Sequence, residues 1–220
     1  MTDHWATFDC YGTLVDWMTG IQTTLAGLWP DADPDALLGR YHRLEPLVQA
    51  GRGISYRRVM AETLARVAQE ARATIPIGQE DALAASLPEW PVFPEVPATL
   101  SELRARGWRL GILSNTDADP LDASLTVIGV PVDVRVVASE IGSYKPAFGH
   151  WERFFAATGA DRDRHVHVAG SLFHDIAPAA ELGLRSVWIN RMAEVSDLAR
   201  DAELTDLRAL PDTLEALVSA

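Results

Sequence analysis

At 220 residues, with 48% hydrophobic and 23% charged side chains, the chain is long enough to bury a sizeable core and has no compositional mark of disorder. Its formal net charge of -12 argues against nucleic-acid binding, which needs a basic face, and leaves a small substrate as the default partner. A single cysteine, Cys10, excludes an internal disulfide, no apolar run reaches membrane-spanning length, and the basic start of a signal peptide is missing, so a cytoplasmic protein without a membrane partner is expected.

In chain order, the apolar run from His4 to Cys10 predicts a strand. From Trp17 to Leu87 the apolar residues fall three and four apart in "MTGIQTTLAGLW", "PDALLGRYHRLEPLVQA", "SYRRVMAETLARVAQEARA" and "EDALAASL", which predicts four helices. The Pro-rich "PEWPVFPEVP" predicts a connector. Beyond it helices alternate with short apolar strands: helix Ala98 to Arg106, strand "WRLGILS", helix Leu121 to Ile128, strand "VRVVAS", helix Phe148 to Ala157, strand "HVHVAG", helix Ile176 to Leu182, strand "RSVWIN" and helix Asp212 to Ser219. Such alternation predicts an α/β fold, a Rossmann-like parallel sheet covered by helices. The first strand must pair with the later ones, so residues 1–15 and 92–220 form the expected core and residues 16–91 an inserted α-helical cap domain.

In open parallel sheets ligands bind beyond the carboxyl ends of the strands. Asp9 follows the first strand there, Ser114 and Asn115 end the second, and Lys145 and Asp175 lie a few residues past the third and fourth. Two carboxylates, one ammonium and several polar donors therefore converge on one rim. Asp9, with Thr13 beside it in "DCYGT", is placed to act as a nucleophile, although Asp before a glycine turn is also an ordinary turn former. Ser114 and Asn115 cap the next helix equally well, and a helix start also holds anions. Lys145 is the one lysine among 19 basic residues, which suits a fixed charge in a tight place that a guanidinium would not fit. Asp175 and its neighbour His174 stand near a helix start, and His174 is either structural or a helper to water. Arg40 has seventeen equals. Cys10 has no triad partners in sequence and reads as buried, while Trp151 reads as core or as a wall of the pocket.

Together "FDCYGTLVD", "LSN", "YKP" and "AGSLFHD" resemble the four ordered motifs of the haloacid dehalogenase superfamily, whose members have a Rossmann-like core and often a cap after the first strand. Phosphatase members usually carry a second aspartate where this chain has Tyr11 and an acid where it has Gly170. The closer resemblance is to the 2-haloacid dehalogenases, whose first motif also carries Tyr-Gly-Thr and which work without a metal. That resemblance implies that Asp9 attacks the carbon bearing the halogen of a short, anionic 2-haloalkanoic acid and forms an ester. Arg40 and Asn115 would stabilise the halide, the N–H groups of Cys10 and Tyr11 with Ser114 would hold the substrate carboxylate, and Lys145 and Asp175 would position the water that yields the 2-hydroxy acid. The chain departs from that pattern at Gly170 and Leu172, where a serine and an asparagine usually serve the water, and at Trp151, where a tyrosine is common. Two other functions stay open: a magnesium-dependent phosphatase of small phosphate esters, and a binding protein that has kept the scaffold without the chemistry. The resemblance also makes a homodimer an expectation.

Overall fold

The computed structural model describes residues 3–50 and 52–219; residues 1, 2, 51 and 220, which the expected division of the chain also takes in, lie outside them. The strands are β1 His4–Phe8, β2 Trp108–Ser114, β3 Val134–Val137, β4 His165–Ala169, β5 Arg185–Ile189 and β6 Ala202–Leu204. The helices are α1 Trp17–Leu28, α2 Pro34–Gln49, α3 Tyr56–Ala71, α4 Ala82–Ser86, α5 Val96–Ala105, α6 Ala118–Ile128, α7 Ala138–Ile141, α8 Gly149–Thr158, α9 Ala177–Glu181 and α10 Leu210–Ser219. The strands make one sheet in the order β3-β2-β1-β4-β5-β6, parallel at every pairing. This is the α/β, Rossmann-like sheet that the alternation predicts.

Alternation along each strand divides the core between the two faces of the sheet. Ala6 and Phe8 of β1 pack in a cluster that holds Leu100 of α5, Leu121 of α6 and Leu214 of α10. Trp5 points the other way, into a cluster with Leu113, Trp151 and Phe154 of α8, and Ala179 of α9. Both faces are thereby covered, as a parallel sheet requires.

The helical block α1 to α4 leaves the sheet after β1 and returns before α5. Its starts carry ordinary signals: Asp33 accepts from the Asp35 and Ala36 amides ahead of Pro34 at the first turn of α2, and Ser55 Oγ accepts from Arg58 N. The block is tied to the sheet side by Asp117, whose carboxylate accepts from the Tyr56 and Arg57 amides at 3.1 and 2.9 Å. No helix among the described residues is long and apolar enough to cross a membrane.

The structure corrects the boundaries at the sheet's carboxyl edge. β1 stops at Phe8 and β3 at Val137, where α7 takes over at once. Between β4 and α9 the chain makes a wide five-residue turn of π type, Leu172–Ile176, where the sequence predicts no regular element ahead of the helix at Ile176. β6, only three residues long, is an edge strand too short for the sequence to announce.

Candidate active site

The loop after β1 is a tight curl. Leu14 N and Val15 N both donate to Cys10 O, at 2.8 and 3.0 Å, and Gly12 N donates to Val15 O at 2.8 Å. Gly12 has φ +95, and a Cβ there would lie 2.8 Å from Trp17 Nε1, so the curl needs glycine for both its backbone and its space. The curl folds Thr13 back onto Asp9: Thr13 Oγ1 donates to Asp9 Oδ2 at 3.1 Å and accepts from Gly170 N at 2.9 Å. Because the Gly170 amide takes the acceptor side of that hydroxyl, its one proton is committed to Asp9.

Lys145 arrives from the loop after α7. Its Nζ donates to Asp9 Oδ1 at 2.9 Å, to Asp175 Oδ1 at 2.7 Å and to Leu113 O at 2.8 Å, which uses all three ammonium hydrogens. The side chain is 1% exposed and its two carboxylate partners 11% and 0%. A planar guanidinium could not point three donors around so small a centre, which accounts for the lone lysine. Asn115 holds the lysine's backbone from both sides: Lys145 N donates to its Oδ1 at 2.7 Å and its Nδ2 donates to Lys145 O at 2.9 Å.

Burial disfavours charge on all three groups, and the pairing decides which of them overcomes it. Burial alone would lower the Lys145 ammonium, but the charges of Asp175 and Asp9 outweigh it and hold its pKa above the ordinary lysine value. Burial pushes Asp175 up, and the Lys145 charge together with a bond from His167 more than reverses this, so its carboxyl lies below the usual range. Asp9 is pushed up, by burial and by the Asp175 charge, with Lys145 only partly offsetting them. One ammonium shared between two acids thus leaves Asp9 the more basic carboxylate.

These groups open on a cavity of about 780 Å³. Tyr11, Ser114, Asn115 and His174 all line it, together with Asp9, Lys145 and Asp175. Ser114 Oγ is buried without a partner among the described residues, as is Asp175 Oδ2. Tyr11 gives its hydroxyl to a contact with Ser124 Oγ at 3.1 Å, and burial pushes its phenol well above the ordinary value. His174 is braced by Ser171, whose Oγ accepts from His174 N at 3.1 Å and lies 3.2 Å from Nδ1. Cys10 turns its thiol into the core, and burial followed by the charge of Asp9 drives that thiol upward, so it is no nucleophile.

Of the expected residues, Cys10, Thr13, Arg40 and Trp151 do not line the cavity, Thr13 acting on it only through Asp9. The stripe of α2 that does is Asp35, Leu38, His42, Glu45 and Gln49, spaced by three and four; Arg40 sits two positions from Leu38 and from His42, about 200° around the helix from each. Arg40 is half-buried and lines no part of the cavity, so Arg40→Ala is expected to leave kcat and KM within about threefold of wild type, checked by steady-state kinetics. Trp151 is no pocket wall either. It shares an α8 face with Phe154, is 1% exposed and packs under the sheet with its ring 5.2 Å from that of His167.

Sequence reasoning also misses residues that matter. Arg191, two residues past the end of β5, lines the cavity; its Nη2 donates to Thr13 O at 2.9 Å and Glu95 Oε1 at 2.8 Å, and the guanidinium stacks 3.5 Å from the Phe93 ring centre. It is masked in the sequence by the other arginines. His167 donates into the site from inside β4, and the recurrence of histidine at every second residue of "HVHVA" was the available signal.

The donors present suit a divalent cation poorly. Lys145 Nζ occupies the space between the two acids, and no group of three or more His, Cys, Asp or Glu able to hold a metal occurs among the described residues. Position 170, where an acid would help, has no room: a Cβ there would lie 2.9 Å from Gly12 O. Gly170→Ser is expected to destabilise the fold by about 1–3 kcal/mol through that backbone clash, read as a lowered Tm.

A family model described as haloacid dehalogenase-like hydrolase matches residues 5–183. The chain is 33% identical over 128 residues to the (S)-2-haloacid dehalogenase of Pseudomonas sp. strain YL, covering 56% of this chain and 55% of that protein. It is 29% identical over 111 residues to the glyceraldehyde 3-phosphate phosphatase of Methanothermobacter thermautotrophicus, covering 50% and 48%. In both, the chain spans about half the length of the curated relative it matches. The L-2-haloacid dehalogenase of Xanthobacter autotrophicus, solved with chloropropionic acid covalently bound, superposes with a TM-score of 0.83 at 18% identity, covering 98% of this chain and 99% of that one.

Proposed function

The chain belongs to the haloacid dehalogenase-like hydrolase family, and from that premise we propose that it hydrolyses the carbon–halogen bond of a short 2-haloalkanoic acid through an ester on Asp9, without a metal ion. One observation carries the reading. A buried ammonium lies 2.9 Å from one acid and 2.7 Å from the other, with tyrosine and glycine where a metal-dependent phosphatase would need further acids. The helical block α1 to α4 is the cap of this reading, since α1 and α2 residues such as Trp17, Leu38 and His42 line the cavity opposite Asp9.

In the first half-reaction an Asp9 oxygen attacks the carbon bearing the halogen, the C–O bond forms, and the halide leaves with the electron pair of the broken C–halogen bond. Thr13 and Lys145 hold the attacking carboxylate in one orientation, and burial makes it the more basic of the two acids. The Cys10 and Tyr11 amides, which find no acceptor among the described residues, and the unpartnered Ser114 hydroxyl suit the substrate carboxylate. Arg191, which lines the cavity while paired with Glu95, is the arginine we assign to the departing halide in place of Arg40, which does not line it. In the second half-reaction water attacks the ester carbonyl carbon and the bond from that carbon to the substrate oxygen breaks; one water proton passes by way of Asp175 to the departing oxygen, which leaves as the hydroxyl of the 2-hydroxy acid, and the other goes to solvent as Asp9 returns to its carboxylate. The unpartnered Asp175 Oδ2 is the acceptor for that water.

Halide release from chloroacetate and 2-chloropropionate in EDTA tests the proposal; turnover of an aryl phosphate that requires magnesium, with no halide release, would replace it by the phosphatase reading that the second relative favours. The cavity wall adds a pH dependence. Burial raises the Glu45 carboxyl to about 7, so Glu45 ionises as pH rises through neutrality and adds a negative charge facing an anionic substrate. KM for the haloacid is expected to rise above about pH 7, and Glu45→Gln to flatten that limb in a pH–KM profile.

A further inference from the structure

Behind Asp175, on the side away from the cavity, lies a chain of polar groups that the reaction above does not use. β1 and β4 are neighbours with Thr7 opposite His167 and Trp5 opposite His165. Residues two apart on a strand share a face, so both histidines and Thr7 meet on the side covered by α8. All three are 0% exposed. His165 Nε2 lies 2.8 Å from Thr7 Oγ1, Thr7 Oγ1 lies 2.9 Å from His167 Nδ1, and His167 Nε2 lies 2.9 Å from Asp175 Oδ1.

Proton accounting gives this chain a direction. Asp175 is ionised and can only accept, so His167 Nε2 carries the hydrogen it donates. With its Nδ1 as a lone pair, His167 accepts the Thr7 hydroxyl proton. That hydroxyl in turn accepts from Nε2–H of His165, a ring that burial holds neutral by lowering its pKa to about 3. The end of the chain agrees: His165 Nδ1 has no partner, and a buried bare lone pair is cheaper than a buried bare N–H. The opposite direction would leave that N–H orphaned and would need a second proton on His167.

We propose that His167, held in one tautomer by Thr7 and His165, is the positioning residue that fixes Asp175 for hydrolysis of the Asp9 ester. The inference rests on the dehalogenase reading for its kinetics. Asp175 Oδ1 receives two donors from different elements, Lys145 from the loop after α7 and His167 from β4, which pins that oxygen and therefore the direction of Oδ2. His167 does not line the cavity, so it acts through Asp175 and touches no substrate. It braces the acid from below where the resemblance would place a serine and an asparagine and this chain has Gly170 and Leu172.

The first test needs no substrate. Nitrogen-15 shifts of the histidine rings in the wild-type protein are expected to show the Nε2–H tautomer at both 165 and 167; an Nδ1–H tautomer or a doubly protonated ring at 167 would overturn the chain. The second is kinetic, on His167→Leu and His167→Gln with 2-chloropropionate, Gln keeping an N–H near the Nε2 position. For His167→Leu, turnover is expected to fall about 10–100-fold, as for loss of an outer-shell partner. The pre-steady-state halide burst and kcat/KM stay near wild type, KM falls with kcat, and the Asp9 ester accumulates in quenched intact protein. His167→Gln recovers most of the turnover. Equal loss of burst and turnover with no ester, or unchanged turnover in His167→Leu, would refute the positioning role. Should His167→Leu fail to fold, Thr7→Val leaves the ring in place, and an unchanged ester lifetime in it would refute the role equally. If wild type releases no halide at all, the dehalogenase reading fails, while the ring shifts still decide the tautomer chain.

Discussion

Asp9→Asn is expected to lose at least about 10⁴-fold in halide release while folding as well as wild type, because an amide in that place keeps the shape and loses the nucleophile. The stability half of the prediction follows from charge. Burial and the neighbouring Asp175 raise the Asp9 pKa in the folded protein. A carboxyl raised on folding favours the native state when protonated, and that contribution is lost as pH climbs from the ordinary carboxylate range through the raised value. At neutral pH the ionised Asp9 therefore costs the fold stability, and Asn at this position is expected to raise Tm at pH 7.5, with the gain shrinking toward pH 4. Thermal unfolding of the two proteins across that range checks the sign. A lower Tm for the variant at neutral pH would mean that the Asp9–Lys145 pair stabilises more than its burial costs.

Lys145→Met has the larger structural consequence. Removing the ammonium leaves Asp9 and Asp175 buried beside one another with their common counter-charge gone and Leu113 O without its donor. Breaking a buried ion pair from one side costs about 3–5 kcal/mol. Two acids depend on this one cation, so the loss is expected at the upper end. Because Asp175 is held low by Lys145 in the wild type, the stability that this group contributes is present above the ordinary carboxylate range and is lost as pH falls toward its lowered value. In the variant that lowering is gone and both acids protonate more readily. The difference between the proteins in urea unfolding should accordingly be large at pH 7.5 and narrower at pH 4.5. Activity disappears as well, since neither the attacking carboxylate nor the water's acceptor is held in place.

The convergence of Asp9, Lys145 and Asp175 was legible in the sequence because each follows a strand end, and parallel strands bring their carboxyl ends to one rim. The lone lysine was legible by contrast with the arginines around it, and the structure explains the contrast by three short donors around a single nitrogen. What sits on helices was less legible. Arg40 belongs to α2 as the pattern requires, but the pattern gives a helix its apolar stripe and leaves open which flank of that stripe faces the cavity. Trp151 failed for a related reason: a large apolar ring near a motif reads equally as wall or core, and its neighbour Phe154 on the same face settles it as core. The wide turn at Leu172–Ile176 was hidden because its five residues differ little in composition from an ordinary helix start, although a turn of this kind is common at functional sites. Gly170 and Tyr11 read in sequence as missing acids, and in three dimensions Gly170 is a place where a side chain would strike the Gly12 carbonyl. Thr7 and His165 lie far from every motif along the chain. Only the pairing of β1 with β4 brings them beneath the acid.

The central claim is that Asp9 bonds covalently to carbon and that water then attacks the resulting ester at the side chain of Asp9. A single turnover of excess enzyme with 2-chloropropionate in oxygen-18 water reads this directly. The account predicts an unlabelled hydroxyl in the product 2-hydroxy acid and the heavy oxygen in the carboxylate of the Asp9 peptide; label in the product and none in Asp9 would contradict it.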